Sequence, residues 1–394
     1  TVRVVVLLPQ TDLDPLSKGT NAMKCFASRS GWQVFFSAFV SVLTLSGANW
    51  AYPDDGAWIA TTAGAWSDSA NWQDGLVAGG AGFTATFAVD MPATGIPVTV
   101  DASQTIGNLT FGDLDPSTGG DWTLSGTGPL TLAGTTPTIT VDSLASGATA
   151  VLSTVVAGTQ GLTKLGGGTL TLAAANTYTG NTTVSAGQVT VTGSITGTAS
   201  GSRFMIGNGS GTNGAMLFDM GAATASTFYG DGYGNSCDIG VSGGTGSLTL
   251  TSGAINVGTR TSGSLGSIRL GVNGTATGTL IVNDGTLNVP GRILMAANSA
   301  GTVATLTVND GEVNLGTAGS GAYGDPGRGL LWTGAGTSTI NLNGGALAMY
   351  GFHGGSGTAN VNFDGGILRA QNNNATFVTT SGAFTMSVRA GGAV

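Results

Sequence analysis

The chain has 394 residues, of which 70 are glycine; 41% are hydrophobic and only 8% charged, with a formal net charge of −8. Glycine at roughly eighteen per cent is more than twice the usual share. The apolar content excludes a disordered chain, and ten prolines with no glycine period of three exclude collagen. Glu312 is the sole glutamate and lysines number three, so helices have little support and an all-β chain with many tight turns is expected.

The first 22 residues share none of the later composition. Met23-Lys24-Cys25-Phe26-Ala27-Ser28-Arg29 is a short basic region, an apolar stretch runs from Trp32 to Leu45, and Ser46-Gly47-Ala48 supplies small residues of the kind a signal peptidase accepts. This order predicts a secretory signal peptide over 23–48 that starts at Met23, with 1–22 as upstream translation. A transmembrane helix is the competing reading, but about 14 apolar residues with serines among them fall short of the ~20 a span needs. Cys25 lies too early in the leader to be a lipidation cysteine. Beyond residue 48 stand Lys164 and seven arginines against eighteen acids, a net charge of about −10. Nucleic acid is therefore not an expected partner. Cys237 is the one cysteine in that region, which leaves no intramolecular disulfide framework.

Residues 49–150 are read as an N-terminal β region with the first coils of a repeat architecture, and 151–394 as its regular repeats. Trp58, Trp66 and Trp72 are expected to close the N-terminal end, where a first coil would otherwise expose a strand edge.

One segment is highly patterned. It reads Gly161-Leu-Thr-Lys164-Leu-Gly-Gly-Gly168-Thr-Leu170-Thr-Leu172-Ala-Ala-Ala-Asn176-Thr-Tyr178-Thr-Gly180-Asn-Thr-Thr-Val184-Ser-Ala-Gly187-Gln-Val189. These residues strongly resemble the autotransporter-associated β-strand repeat, also called the passenger-associated transport repeat. Its strand pair "G-L-x-K-x-G-x-G-T-L-x-L" and following "A-N-x-Y-x-G-x-T-x-V-x-x-G" are both matched. The resemblance implies that Leu170 and Leu172 face a core, that Asn176 through Gly180 form a corner, and that Val184 begins the next inward face. The stretch Trp58…Trp66-Ser-Asp-Ser-Ala-Asn71-Trp72, followed by Asn108-Leu-Thr-Phe111-Gly112, likewise looks like the opening of large secreted bacterial proteins built from such repeats. In autotransporters these repeats form a passenger exported through a C-terminal outer-membrane barrel. No amphipathic barrel strands follow here, and the sequence stops at Ala390-Gly-Gly-Ala-Val394 amid repeat-like residues, so truncation at the C-terminus is expected.

A simpler repeat runs through the second half. Two apolar residues precede a glycine by five and three, and two more follow it by two and four. The copies are Leu248–Val257 around Gly253, Leu280–Val289 around Gly285, Leu306–Leu315 around Gly311, Ile340–Met349 around Gly345 and Val361–Ala370 around Gly366. Degenerate copies surround Gly187 (Thr182–Val191) and Gly221 (Met216–Ala225), and the seven glycines are expected at one shared corner. Alternation on both sides means two short strands with a bend between them, where φ is positive or backbones approach closely. Upstream lies a third apolar element: Ile206-Gly207, Ile239-Gly240, Leu270-Gly271, Met295-Ala296 and Trp332-Thr333.

Stacked antiparallel hairpins would also alternate. However, like residues recur in like columns: Asn256, Asn288 and Asn314 in one, and Leu250, Val282, Val308, Leu342 and Phe363 in another. Such columns stack when each coil lies about 4.8 Å above the last. The fold expected is an all-β, single-stranded parallel β-helix, a right-handed pectin-lyase-like solenoid with an N-terminal β cap.

Candidate chemistry is thin. Gly209-Ser-Gly211-Thr-Asn-Gly214 fits a dinucleotide fingerprint without its βαβ unit, and Gly240-Val-Ser242-Gly-Gly244 fits a nucleophile elbow without its strand-to-helix context. His353, the sole histidine, is placed in a glycine-rich loop three or four coils from Ser242, at least ~15 Å away, too far for proton transfer. Asp284 and Asp310 share a column in Asn-Asp-Gly corners. They could hold Ca²⁺ or form an acid pair, but turn chemistry is the better reading. Arg260, Arg269, Arg292, Arg328 and Arg369 could supply a lyase base, yet they fall in different columns and read as solvated outer-face residues. Trp332 could stack on a sugar, but its column is read as inward and core.

The functional expectation is a non-catalytic secreted or cell-surface scaffold, outer-membrane associated, acting in surface structure or adhesion. Its expected contacts are surface glycans or neighbouring surface proteins, with no cofactor and no metal. A polysaccharide lyase or glycosidase on a β-helix is the alternative.

Overall fold

The computed structural model describes residues 54–389 except 143, 197–201, 223, 229–234, 259–264, 317–328 and 372–376. The expected leader at 23–48, the segment 1–22, Arg260 and Arg328 lie outside the described residues. Among the described residues the strands pair with one another in parallel and stack into a parallel β-helix with three faces, and single antiparallel bridges join Asp54 to Gly79 and Trp58 to Trp72 at the N-terminal end. The first face is a 15-stranded sheet and the second a 13-stranded one, and a 6-stranded sheet forms the third over the later coils. One coil illustrates the plan: Ser267–Val272 lies on the first face, Thr277–Val282 on the second and Thr286–Val289 on the third. The first two sheets run across residue 150 without a break.

The interior follows from period-two alternation. On the second face Leu250, Val282, Val308, Leu342 and Phe363 stand in strict register, all 5% exposed or less. Removing each such side chain from water contributes about 1.5–3 kcal/mol, and identical positions stack because every coil repeats the same in–out order. The outward positions between them carry Thr249, Ile281, Thr307, Asn341 and Asn362. Threonine and asparagine tile this outside, which is why so little charge is needed.

Asparagine columns form as expected and exceed the expectation. Asn288 Nδ2 donates to Asn256 Oδ1 at 2.8 Å, and Asn314 Nδ2 to Asn288 Oδ1 at 3.1 Å. A second ladder joins Asn283, Asn309 and Asn343 at 2.7 and 2.9 Å.

The corner glycines are of two kinds. Gly253, Gly285, Gly311, Gly345 and Gly366 stand in line where the second face turns into the third. Gly285 has φ +82, whereas a Cβ at Gly311 would approach Val282 Cγ1 to 2.5 Å, so one needs its conformation and the other its missing side chain. Gly221 occupies this corner three residues ahead of Thr224, the residue that aligns with Gly253. Gly187 departs from the expectation. It pairs with Gly214, in line with Gly246 and Gly278, at the corner between the first and second faces. Its apparent copy of the repeat joined Thr182–Val184 on the first face to Ala186–Val191 on the second, one corner too early.

The N-terminal end is closed by aromatic residues, as expected. Trp58, Trp66 and Trp72 are each 1% exposed or less and pack around Phe87, which stacks on Phe111 at 5.2 Å. Each indole N–H meets a carbonyl: Trp58 to Ala60 at 2.8 Å, Trp66 to Ala78 at 3.0 Å and Trp72 to Trp66 at 2.7 Å. The end thus buries large rings with no unmet donor.

Candidate functional site

The patterned segment at 161–189 was the most specific feature of the sequence, and the structure sets its buried Lys164 and Asn176 next to coil corners. Lys164 occupies an inward column of the first face, between Ile139 and Val184, and is fully buried. Its Nζ donates to the carbonyls of Leu165 at 2.7 Å, Gly166 at 2.8 Å and, one coil on, Ala186 at 3.3 Å. Burial pulls its pKa down to about 8, with the nearby Asp142 charge opposing. The ammonium is therefore a three-point tie at the corner between the first two faces.

Asn176 ties the next corner. Its Oδ1 accepts from the Val156 N–H at 3.0 Å, and its Nδ2 donates to Ala174 at 2.8 Å and Ser194 at 3.2 Å, so one buried amide bridges three successive coils. Tyr178 fills the interior beside it, its hydroxyl 2.8 Å from Thr182 Oγ1, and burial pushes its pKa well above the usual phenol value. Leu170, Leu172 and Val184 face the core, as the resemblance implied. Gly161 and Gly180 turn with φ +82 and +90.

These residues coincide with a known pattern. Residues 162–191 match the model of the family described as "Passenger-associated-transport-repeat". The chain carries a passenger-associated transport repeat. It is also similar to the "Adhesin BmaC autotransporter" of Brucella suis biovar 1 (strain 1330), 36% identical over 116 residues. That match covers 29% of this chain and 3% of the adhesin, so the chain spans only a small part of that relative's length. No solved structure matches. In physical terms the passenger repeat is a recipe for corners, and its buried Lys164 and Asn176 hold one coil to the next.

Chemistry on the outside sits elsewhere. Along the first face, one outward column runs Met205, Asp238, Arg269, Leu294, Trp332, His353 and Thr379 in register. Asp238 is 0% exposed and receives Arg269 in a two-pronged pair, Nε to Oδ1 and Nη2 to Oδ2, each at 2.6 Å. Arg203 also pairs with its Oδ2. Arg269 was expected to be solvated; it is instead 23% exposed, because a carboxylate one coil below claims it. The signal was available: Asp238-Ile239-Gly240 and Arg269-Leu270-Gly271 put opposite charges at one position of adjacent repeats.

Trp332 overturns its expected inward placement. The register pairs Met295 with Thr333 and Leu294 with Trp332, so aligning Trp332 with Met295 was a slip of one residue. With a side-chain period of two, one residue reverses the face. Trp332 points outward, with the Arg292 guanidinium 5.1 Å from its ring centroid and the His353 ring at 4.5 Å, edge to face. His353 lies in the strand Gly351–Gly354 rather than in a loop, exposed, its Nδ1 3.0 Å from Thr379 Oγ1.

The remaining candidates stay apart. Ser242 turns at φ +58 after the strand Asn235–Val241, four coil steps along the first face from His353. At about 4.8 Å per step that is on the order of 19 Å, so the structure does not bring them together. Gly209 to Thr212 form the turn between two strands, Phe204–Asn208 and Asn213–Asp219, and Gly214 lies in the second of them, with no helix behind it. Asp284 and Asp310 line one shallow surface groove at the corner between second and third faces, and Asp284 Oδ1 accepts from the Gly285 N–H at 2.6 Å, as turn chemistry predicts. Arg369 pairs across coils with Glu312 at 3.0 Å, both well exposed. Among the described residues, no three His, Cys, Asp or Glu side chains gather as a metal site would require.

Proposed function

We propose that this chain is a non-catalytic, secreted or cell-surface β-helical scaffold that resembles an autotransporter passenger and acts in surface structure or adhesion. The observation that carries the reading is the use made of the passenger repeat. Lys164 and Asn176 are consumed in tying coils together and Tyr178 in holding the corner between them, and that segment builds a rod rather than a reaction centre. The Brucella relative's description as an adhesin supports the same role. On this reading the stacked coils supply length and stiffness, and the outer columns supply contacts to surface glycans or neighbouring surface proteins. A leader over 23–48 and anchorage at the outer membrane through a translocating barrel belong to the same proposal.

A polysaccharide-degrading enzyme is the rival. It needs acids and arginines converging on adjacent coils with room for a substrate. Asp238 and Arg269 do meet on adjacent coils, but each satisfies the other and the carboxylate is sealed from water. The test is attachment. Beads coated with the full chain are expected to be retained on cultured cells or bacterial lawns well above albumin-coated beads. Retention no better than albumin on every surface would remove the adhesion reading.

A further inference from the structure

The outward side of the second face repeats in two directions. Four consecutive ladders pair its later strands residue for residue without a bulge. The middle outward column runs Thr279, Thr305 and Thr339, and the columns on either side hold Thr277 with Thr337, and Thr307. Val303 and Ile281 fill gaps in those side columns and keep the branched shape, with a methyl where a hydroxyl would stand. Neighbours along a column lie about 4.8 Å apart, and neighbours two residues along a strand about 6.6 Å apart. A sheet left to itself twists; here the Asn283, Asn309 and Asn343 ladder ties the same coils along the edge of the face. β-Branched side chains have little freedom at χ1, so the array of hydroxyls and methyls is set before a partner arrives.

What this surface lacks narrows the partner. From Thr245 to Asn362, among the described residues, no charged group and no aromatic ring stands at an outward position of these strands. Polyanions and anionic membranes are held by basic groups, protein partners by aromatic and arginine anchors, and the faces of sugar rings by aromatic plates. Each of these would find little to grip. An uncharged lattice that offers donors and acceptors at a fixed repeat would be gripped everywhere at once, because many weak contacts on a stiff array add. Solid water is such a lattice. On a prism face of ice the oxygen positions repeat at close to the coil spacing in one direction and at a little more than the strand spacing in the other. We propose that the threonine face of this solenoid binds ice, its hydroxyls taking oxygen positions of the lattice and its methyls lying between them. The inference goes beyond the adhesion reading and does not rest on it.

The test is partition of the purified full chain between slowly grown ice and the remaining liquid. Albumin, which a growing crystal rejects, sets the baseline, and chitin and cellulose powders are offered in parallel. The wild-type chain is expected in the ice at least about tenfold above albumin. The double variant Thr305→Lys, Thr307→Lys raises two charged stems out of the array and is expected to fall to the albumin level. Thr279→Lys, one coil away, is expected to lose most of the enrichment, and Thr140→Lys, an outward change on the first face, none. Circular dichroism and urea midpoints check that each variant folds, and Thr279→Lys carries the test should the double variant fold poorly. A wild type rejected like albumin, retention on the powders without enrichment in ice, or folded second-face variants enriched as well as Thr140→Lys overturns the proposal. Failure of bead attachment to cells leaves it standing, since cells and ice are tested separately.

Discussion

Lys164 offers the sharpest test of how the passenger repeat holds its coils. Its ammonium gives two short bonds and one longer bond to backbone carbonyls, each worth about 1.5 kcal/mol or more for a charged donor. Against this, a pKa lowered from 10.5 to about 8 means the charged form is disfavoured by a net cost of about 3 kcal/mol. Lys164→Met keeps a stem of similar length and removes only the ammonium, leaving the carbonyls without that donor. A net loss of about 1–3 kcal/mol at pH 7 is expected, and Lys164→Ala should cost about 2 kcal/mol more through the lost stem. The pH dependence has a definite sign. The folded group releases its proton near pH 8 and the unfolded one near 10.5, so between these values the unfolded chain binds more protons and wild-type stability rises with pH. The gap between wild type and Lys164→Met, read from urea unfolding at pH 7, 8, 9 and 10, should therefore widen. A Met variant as stable as the wild type at pH 7 refutes the three-carbonyl tie, and a gap that narrows with pH refutes the lowering of the pKa by burial.

Other consequences are equally concrete. Asp238→Ala removes the carboxylate that Arg203 and Arg269 meet from the coils before and after it and should cost about 2–4 kcal/mol in urea unfolding; a neutral outcome would mean the arginines simply swing into water. Gly240 turns at φ +59, and a Cβ there would press into the Thr277 carbonyl. Gly240→Ala should therefore destabilise by about 2–4 kcal/mol, whereas Ala296, already at φ +46 in the equivalent place, should accept glycine at little cost. Cys237 is buried, and burial pushes its thiol pKa well up, with Asp238 adding and Arg203 opposing. Its reaction with a thiol-specific disulfide reagent should be negligible in buffer and rapid in denaturant; rapid labelling of the folded chain would contradict the inward placement.

Much of the fold was legible because a parallel solenoid writes its register into the sequence. Leu250, Val282, Val308, Leu342 and Phe363 could be aligned by eye, and the structure stacks them as aligned. The reading failed where the pattern carries no phase of its own. Around Gly187 a corner glycine stands between alternating strands at the wrong corner, since both corners share the same local chemistry. At Trp332 a bulky apolar residue beside Thr333 invited an inward assignment, and only the ladder to Leu294 and Met295 fixes the phase. Lys164 was invisible for another reason. A lysine at an alternating position reads as outward by its charge, and nothing in the chain announces that three carbonyls of two coils converge to receive it.

On the proposed function, the outside of this β-helix binds without transforming what it binds. The direct measurement is prolonged incubation of the full chain with alginate and other acidic polysaccharides, followed by chain-length analysis and assays for new reducing or unsaturated ends. Polymer recovered at its original length, with no new ends, is the predicted result. Shortened polymer whose new ends accumulate in proportion to the amount of chain added would contradict it and would make the rival enzyme the correct reading.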